Sequence, residues 1–346
     1  MEHRVNYPTR FDNLLDLARL PWFEAKDGRL VLADKALGPA MDVHTHLALA
    51  YALPNSVDLL RLWPQTEHYL AAARPLDLDV YINRNFTPDD LKRLEVDLAL
   101  KSVGPHGMRR THSLPNLARE MDELGVLKSV LLPIDYPVFS QNAMTWLQAA
   151  HGHSPTIGFG CIHPYRPGMR HSLQAQIALG AKGIKFHPAV QMVRPDDRRA
   201  MKLYRLCAEF NLVLLFHCGP VDIETRLGRY LSQVRHYERA LAENPDVPFI
   251  LGHSGALQMA EALEYTKKYP NVYVECSSQS VSNCKTIFET VPRDKILFGS
   301  DWPFYHQAIG LAKVFMATDG DAELRKDVLW RNGARLFGLP LDAVAA

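Results

Sequence analysis

Short apolar segments rich in β-branched residues recur along the chain, and from residue 129 onward stretches of helical periodicity separate them. The centres of these segments are nearly continuous hydrophobic runs, as expected of parallel strands that are covered on both faces. The intervening stretches are amphipathic, and several end in Gly or Asn, which commonly terminate helices. The eight segments span residues 39–46, 128–135, 156–164, 181–188, 212–219, 247–255, 271–278 and 294–301. Eight strands that alternate with helices predict an α/β fold of the (β/α)8 or TIM-barrel type.

Two parts of the chain depart from this alternation. Residues 1–38 precede the first strand, and their pattern predicts a helix followed by a short hairpin, so we assign them to an N-terminal extension of a barrel domain that spans residues 39–346. Residues 47–127 form a long connection after the first strand, with helical periodicity broken by prolines. A structureless loop of this length would be unusual in a compact domain. We therefore interpret 47–127 as a helical insertion over the C-terminal mouth of the barrel, where loops build active sites.

The segment MDVHTHLAL, residues 41–49, places two imidazoles on what otherwise resembles a buried strand. Side chains alternate faces along a strand, so Asp42, His44 and His46 share one face. Two neutral imidazoles side by side suit a divalent metal ion, whose coordination compensates for their desolvation. A chance pair or a hydrogen-bonded core pair is the alternative at this point, because the chain contains 15 histidines.

Polar residues also end the other predicted strands, on the side of a barrel where catalytic groups lie. A chain selected only for stability has no reason to concentrate imidazoles there, so their joint placement indicates a metal site. In chain order these residues are Asp135, His163, Lys185 with His187, His217, His253, Glu275 or Cys276, and Asp301.

The same placement suggests a role for each group. A catalytic zinc-type site takes three or four protein ligands and keeps one position open for water. His44 and His46 can chelate from one strand, and His217 and Asp301 can complete the set from the far side of the barrel. His253 is then available for proton transfer, which suits an imidazole that titrates near neutral pH. Asp301 can in addition orient or deprotonate the bound water.

Composition narrows the classes of partner and compartment. The net charge of +1 leaves no basic excess to bind nucleic acid through counterion release. The five cysteines are odd in number and form no C-x-x-C pair, which favours a reducing cytosol over a disulfide framework. The N-terminus has no apolar signal region, and no apolar run reaches the roughly 18–20 residues that cross a bilayer. We therefore expect a cytoplasmic protein that binds a small molecule, and neither a membrane nor nucleic acid.

The order of the motifs HxH, GxKxHP, HCG, GHSG and GSDWPF resembles that of the amidohydrolase superfamily. Within it, the chain is most similar to the branch related to aminocarboxymuconate-semialdehyde decarboxylase, over the first strand and most of residues 115–340. The resemblance implies one divalent metal ion, zinc in the first place and manganese as the alternative, and a homodimer. By motif it implies His44, His46, His217 and Asp301 as ligands and His253 as the catalytic acid/base.

Six further residues are candidates for substrate binding, each with a plainer alternative. Lys185 can be carboxylated to bridge two metal ions, can meet a substrate carboxylate, or can pair with an acid such as Glu275. His187 and His163 can line the pocket or simply end their strands, since each precedes a proline. Trp302 is either a pocket wall or ordinary packing. An arginine pair is shaped to hold a carboxylate but is more often solvated, and the pair in question is Arg109 and Arg110.

The sequence supports one leading function and two alternatives. The leading hypothesis is a metal-dependent hydrolase of a small lactone, amide or ester, in which Asp301 takes a proton from metal-activated water and His253 protonates the leaving group. The first alternative is a non-oxidative decarboxylase of a small carboxylic acid that uses the same residues, and a cationic clamp beside the metal would favour it. Aromatic-acid decarboxylases of the branch often carry Glu at the position of His44, so this histidine argues against that subgroup but leaves a decarboxylase of the muconate type open. A barrel that binds metal or ligand without turnover is the third hypothesis.

Overall fold

The computed structural model describes residues 7–51, 53–137 and 140–342. The first six residues of the predicted extension, residue 52 of the predicted insertion, and residues 138–139 and 343–346 of the predicted barrel domain lie outside these ranges. Eight parallel strands form the central sheet in chain order, each hydrogen-bonded to the next. They are β1 (Ala40–Thr45), β2 (Val126–Leu131), β3 (Thr156–Gly160), β4 (Gly183–Phe186), β5 (Val213–His217), β6 (Phe249–Gly252), β7 (Val272–Glu275) and β8 (Ile296–Leu297).

The sheet closes on itself through the chain that follows β8. The amide of Val43 donates to the carbonyl of Phe298 at 2.9 Å, and the amide of Asp301 donates to the carbonyl of His44 at 2.8 Å. These bonds join the last strand to the first, so the carboxyl ends of all eight strands surround one mouth. The TIM barrel predicted from the alternation of strands and helices is confirmed.

Every predicted strand segment overlaps one observed strand, but several observed strands end earlier. β6 ends at Gly252 and β8 at Leu297, whereas the predicted segments run on to residues 255 and 301. Beyond these ends the chain turns sharply: φ is +55° at His253 and +66° at Asp301. Positive φ is uncommon for residues with a side chain and is concentrated at functional sites. His253 and Asp301 therefore lie on turns at the mouth rather than within the strands.

Helices cover the outside of the barrel and lie in the connections between its strands. α1 starts at a reciprocal cap between Thr87 and Asp90, with Pro88 in its first turn. No helix in the described part of the chain is long and apolar enough to span a membrane. The helices are α1 (Pro88–Leu98), α2 (Leu114–Glu123), α3 (Asn142–Ala150), α4 (Met169–Ala178), α5 (Pro188–Gln191), α6 (Arg198–Glu209), α7 (Arg226–Leu231), α8 (Glu238–Glu243), α9 (Met259–Lys268), α10 (Val281–Thr290), α11 (Gln307–Ala317), α12 (Ala322–Lys326) and α13 (Asn332–Phe337).

The chain before β1 packs against α11. Its helical part is a six-residue 3-10 helix, Leu14–Arg19, and its hairpin pairs Phe23–Lys26 with Arg29–Leu32. The ring of Trp22 lies 5.4 Å from that of Phe315 in α11. This aromatic contact anchors the segment to the barrel through buried apolar area.

The connection between β1 and β2 contains α1, α2 and several 3-10 turns. From residue 46 to residue 75, its described chain forms neither helix nor strand, so it is less helical than its periodicity predicts. Side chains satisfy part of this irregular backbone, since the Asn142 amide bonds both the N–H and the carbonyl of Ala50. Further along, the 3-10 turn Ile82–Asn85 lies at the mouth, where the amide of Ile82 donates to the carbonyl of Ser278 at 2.9 Å.

Candidate metal centre

Three potential ligand atoms meet at the mouth of the barrel, at the ends of β1 and β8. Nε2 of His46 lies 3.2 Å from Oδ1 of Asp301, and Nε2 of His44 lies 3.7 Å from the same oxygen. All three residues are buried. The two imidazoles share a face of β1, and the backbone bonds that close the barrel bring Asp301 beside them.

Hydrogen bonds fix the tautomers of His44 and His46. Nδ1 of His44 lies 2.9 Å from Oε1 of Glu275, and Nδ1 of His46 lies 2.7 Å from the carbonyl oxygen of Leu132. A carboxylate and a carbonyl only accept hydrogen bonds, so each Nδ1 carries the proton and each Nε2 presents a lone pair. Partners of this kind orient metal-binding histidines and determine which nitrogen ligates.

A second series of hydrogen bonds fixes the tautomers of His253 and His217. The Ser277 hydroxyl donates to Glu275 at 2.9 Å, so its oxygen accepts from Nδ1 of His253 at 2.8 Å. Nε2 of His253 then accepts from Nδ1 of His217 at 3.2 Å. The lone pair of His217 is therefore on Nε2, as in the two histidines of β1. Both ring nitrogens of His253 have partners, so this imidazole is less free than the sequence predicts.

The donor set fits a divalent cation. Among the described residues, His44, His46 and Asp301 have ligand atoms within 4.8 Å of one another, and His217 falls outside that group. A cation among these converging lone pairs would be stabilised by all of them. Imidazole nitrogens with one carboxylate are ligands that zinc accepts readily. The geometry thus brings three of the four predicted ligands into one cluster and leaves the fourth beside it.

Burial keeps these imidazoles in the neutral form that ligation requires. Burial, followed by the nearby charge of Lys185, lowers the pKa of His46 and that of His217 to about 3. The same two causes hold the pKa of His44 well below its usual value. Burial raises the pKa of the Asp301 carboxyl, and the Lys185 charge opposes that rise.

Lys185 reaches the cluster from β4. Its Nζ lies 3.1 Å from Nε2 of His44, so the ammonium group donates to the lone pair of that imidazole. Burial lowers the pKa of Lys185 to about 8, against the opposing influence of Asp301 and then Glu275. The Lys185 side chain therefore points into the barrel, where it contacts His44, a predicted ligand.

Glycines allow the loops after β5, β6 and β8 to approach each other behind the cluster. Gly219 has a φ of +83°, and a Cβ on it would lie 1.9 Å from the carbonyl oxygen of Gly255. A Cβ on Gly299 would lie 2.2 Å from Oε2 of Glu275 and 3.0 Å from Cβ of His44. The glycines of the HCG, GHSG and GSD motifs are therefore required by close packing around the site.

A cavity of about 820 Å³ opens above the cluster. Its floor carries the four predicted ligands together with His253, Lys185 and His187, and its wall is mainly aliphatic and aromatic. No arginine occurs among the described residues that line it. The wall includes Tyr51, Tyr81, Tyr136, Tyr305, Leu94, Leu98, Ile134, Val190, Val221, Ile223 and Phe304, with the carboxylates of Glu95 and Glu224.

Two of the predicted substrate-binding residues, Lys185 and His187, line this cavity. The His187 ring stacks on that of His217, with the centroids 4.0 Å apart and the planes 6° from parallel. Stacking of this kind restricts the rotation of His217, so His187 also positions a predicted ligand.

His163 and Trp302 are not among the residues that line the cavity. His163 lines a separate groove, and its Nε2 donates to the carbonyl of Gln191 at 2.8 Å. Trp302 is fully buried and donates its indole N–H to Glu120 at 3.1 Å. The pocket role predicted for both residues is therefore corrected to a structural one, because their polar groups are used within the fold.

The arginine pair also lies outside the cavity lining. The buried Arg109 donates from Nε to the carbonyl of Leu49 and from Nη1 to the carbonyl of Gly104, both at 2.6 Å. Arg110 lies over the ring of Trp63, with 4.9 Å to its centroid, and pairs with the exposed Glu67. The predicted carboxylate clamp is corrected: one guanidinium holds the irregular connection together and the other lies at the surface.

Sequence reasoning missed three contributors. Glu275 was predicted only as one of two possible polar residues at the end of a strand. An acidic residue in the segment NVYVECSS could have indicated that it orients a histidine. Ser277, which links Glu275 to His253, gave no signal of its own. Tyr81 comes from the connection after β1, where no motif marks it, yet it lines the cavity.

Comparison with known proteins identifies the family. The model of a family described as "Amidohydrolase" matches residues 41–339. Protein fluG of Emericella nidulans is 25% identical over 242 residues, which is 58% of this chain. The chain spans 28% of the length of that curated relative.

Solved structures share the barrel at low sequence identity. A probable 2-pyrone-4,6-dicarboxylic acid hydrolase from Acinetobacter baumannii is 12% identical with a TM-score of 0.54, over 87% of this chain and 100% of that one. The 5-carboxyvanillate decarboxylase of Sphingomonas paucimobilis is 16% identical with a TM-score of 0.55, over 85% and 99%. These likenesses support the fold, and the family match covers most of the chain. The chain belongs to the amidohydrolase family of enzymes, as the order of its motifs predicts.

Proposed function

We propose that the protein is a metal-dependent hydrolase that cleaves a small, uncharged lactone, ester or amide. The observation that carries the proposal is the convergence of the Nε2 lone pairs of His44 and His46 on Asp301 at the floor of a mainly apolar cavity. His44, His46 and Asp301, with His217, would hold the metal. When bound there, a divalent cation, zinc or alternatively manganese, supplies Lewis-acid polarisation of a carbonyl group and makes water more acidic.

The side chains of the site supply the proton transfers. Asp301 accepts a proton from the attacking water. His253 keeps its Nδ1 proton on Ser277. Once its Nε2 separates from His217, that nitrogen takes the proton that Asp301 accepted from water and delivers it to the leaving group. Positioned acids and bases of this kind contribute roughly 10²–10⁴-fold to a rate.

The charge of the cavity supports an uncharged substrate. Lys185 is the only lysine or arginine among the described lining residues, and it lies against His44. Glu95 and Glu224 add negative charge to the wall. A substrate with several carboxylates would be repelled there, without a guanidinium group to compensate.

A non-oxidative decarboxylase is the second candidate, and the position of Lys185 favours it. The ammonium group next to His44 can hold a single carboxylate beside the metal cluster. A monocarboxylic acid with an apolar body would match the rest of the wall. The same residues serve both functions, so the product distinguishes them.

A substrate panel tests the proposal. The wild-type enzyme is assayed with dihydrocoumarin, p-nitrophenyl acetate and acetanilide, and in parallel for CO2 release from salicylate. We expect turnover of at least one neutral compound, and a loss of about 10²-fold or more in Asp301→Asn. The exposed imidazole of His171 provides a control, His171→Ala, with unchanged activity. CO2 release without hydrolysis of any neutral compound would replace the hydrolase with the decarboxylase.

A further inference from the structure

One buried hydroxyl in the cavity has no partner. In the described part of the chain, eight buried side-chain polar atoms lack a hydrogen bond, and the Tyr81 hydroxyl is the only one of them on a residue that lines the cavity. Tyr81 is 7% exposed. Buried polar groups are nearly always hydrogen-bonded, so such an exception in a binding cavity indicates a group that is completed by a ligand.

The surrounding structure holds Tyr81 in place. The next residue, Ile82, donates its amide to the carbonyl of Ser278. Asn83 donates its side-chain amide to the carbonyl of Val221 at 2.9 Å and accepts the hydroxyl of Tyr305. The turn that carries Tyr81 is therefore tied to the loops after β5, β7 and β8. These contacts hold the phenol ring in one position at the cavity.

Tyr81 lines the same cavity as the predicted ligands, and its hydroxyl group keeps its proton. Burial, followed by the charge of Asp301, raises the pKa of Tyr81 well above its ordinary value. The nearby Ser278 hydroxyl opposes this rise in the pKa of Tyr81, but the Tyr81 hydroxyl makes no hydrogen bond within the described residues. Tyr81 is thus a neutral donor in the cavity that Asp301 also lines, with no acceptor in the described part of the protein.

We propose that the Tyr81 hydroxyl donates a hydrogen bond to the reacting carbonyl oxygen of the substrate, an inference that rests on the proposed function. The bond strengthens as negative charge develops on that oxygen during attack by water. No bond to Tyr81 forms or breaks, and its proton stays on the phenol. Tyr81 is then a catalytic residue supplied by the connection after β1, and it selects substrates whose acceptor oxygen lies on its side of the cavity.

Tyr81→Phe removes the donor and little else. We expect kcat to fall by about 10²-fold, the usual effect of losing one donor to a developing oxyanion, with KM changed by less than about 3-fold. We also expect the affinity for phenylphosphonate monomethyl ester, a tetrahedral anionic probe, to fall by at least about 10-fold in calorimetry. The melting temperature should be unchanged or higher, because the lost hydroxyl group has no partner among the described residues.

Tyr204→Phe is the matched control. Its hydroxyl is buried outside the cavity and donates to the carbonyl of Pro195 at 2.9 Å. This variant should lower the melting temperature and leave kcat unchanged, which is the opposite of the Tyr81→Phe pattern.

The two proposals can fail separately. If the wild type hydrolyses a neutral substrate and Tyr81→Phe keeps kcat and probe affinity within about 2-fold, the inference is overturned and the proposed function stands. If the wild type hydrolyses none, the proposed function fails, and the phosphonate affinities still decide the role of Tyr81. A wild type that does not bind the phosphonate also overturns the inference.

Discussion

Glu275 orients two imidazoles at once. Its Oε1 accepts from Nδ1 of His44 at 2.9 Å and from the backbone amide of His253, and its Oε2 accepts from the amide of Ser277 at 2.7 Å. Because donors surround both carboxylate oxygens, the side chain has one orientation. The hydrogen bond from Nδ1 also fixes the orientation of the His44 ring, so that its Nε2 is directed at Asp301.

We predict that Glu275→Gln weakens metal binding by about 10–100-fold, since the amide nitrogen of Gln cannot accept these hydrogen bonds. Competition with a chromogenic chelator measures the affinity. Glu209→Gln is the control, because Glu209 lies in an exposed ion pair with Arg170. An unchanged affinity in Glu275→Gln would contradict the orienting role.

At the scale of residues, the sequence predicts the cluster of His44, His46 and Asp301 better than it predicts the residues of the cavity wall. The spacing of His44 and His46 predicts a shared strand face, because the period of a strand is two residues. Adjacent arginines look alike in a sequence whether they are buried or solvated, and only the structure shows Arg109 bonded to backbone carbonyls. Tyr81 could not be found, because nothing in its local pattern links it to strands distant in the chain.

At the scale of elements, the loops after β5 and β6 touch through their backbones. Gly219 and Gly255 both have positive φ, and the contact between them leaves no space for a side chain. His217 ends β5 and His253 begins the loop after β6, so the close approach of the two loops also sets the hydrogen bond between the two rings.

We predict that Gly219→Ala lowers the free energy of unfolding by about 2–5 kcal/mol, through left-handed backbone strain and overpacking. Gly152→Ala is the control: Gly152 has a φ of +77°, but a Cβ added there would meet nothing within 4 Å. This variant therefore bears only the backbone strain, about 1 kcal/mol. Urea denaturation measures both. Equal losses would show that the loop contact is not tightly packed.

Glu120 fastens α2 to the chain after β8. It accepts from Nε2 of His68 at 3.0 Å, from the indole of Trp302 at 3.1 Å and from the amide of Gln307 at 2.7 Å. Burial by itself raises the pKa of Glu120, but His306, His68 and these hydrogen bonds outweigh it and lower the pKa to about 2. A carboxyl group with a lowered folded-state pKa stabilises the fold above its unfolded pKa, and this stability is lost as the pH falls toward the folded value.

We predict that Glu120→Gln destabilises the protein by about 3 kcal/mol at pH 7, from a pKa difference of roughly 2.5 units. The difference in the free energy of unfolding between the wild type and Glu120→Gln should shrink by about 1 kcal/mol between pH 6 and pH 3.5. In this pH range the wild-type carboxylate takes up a proton when the protein unfolds. Urea denaturation at the two pH values measures the change. A difference independent of pH would contradict the lowered pKa.

The barrel strands could be predicted because each is a short apolar run bounded by turn residues. Their ends could not, because φ values such as +55° at His253 depend on loops that meet in space. The backbone conformation of residues 46–75 could not be predicted either, because side chains from other parts of the chain, including Arg109 and Asn142, hold it in place.

At the scale of the whole molecule, closure of the barrel assembles the site. His44 and Asp301 are far apart in the chain, and they meet because the segment after β8 hydrogen-bonds to β1. A cation held by both would therefore bridge the first and last strands. The homodimer and the cytoplasmic location remain predictions.

We predict that removal of the metal lowers the melting temperature, because a cation that binds only the folded chain stabilises it by RT ln(1 + [L]/Kd), about 4 kcal/mol at 1,000 times Kd. Calorimetry after dialysis against EDTA, and again after Zn²⁺ is restored, measures the shift. His44→Ala should show no difference between the two conditions. An identical melting temperature with and without metal in the wild type would contradict the bridge.

The metal content of the purified protein tests the central claim most directly. Elemental analysis of protein prepared without added metal or chelator should give about one zinc or manganese per chain. His44→Ala, His46→Ala and Asp301→Ala should lose it, and the surface control His171→Ala should keep it. Two metal ions per chain would instead make Lys185 a carboxylated bridging ligand. A folded wild type that holds no divalent metal, even after reconstitution, would contradict the metal centre and the hydrolase built on it.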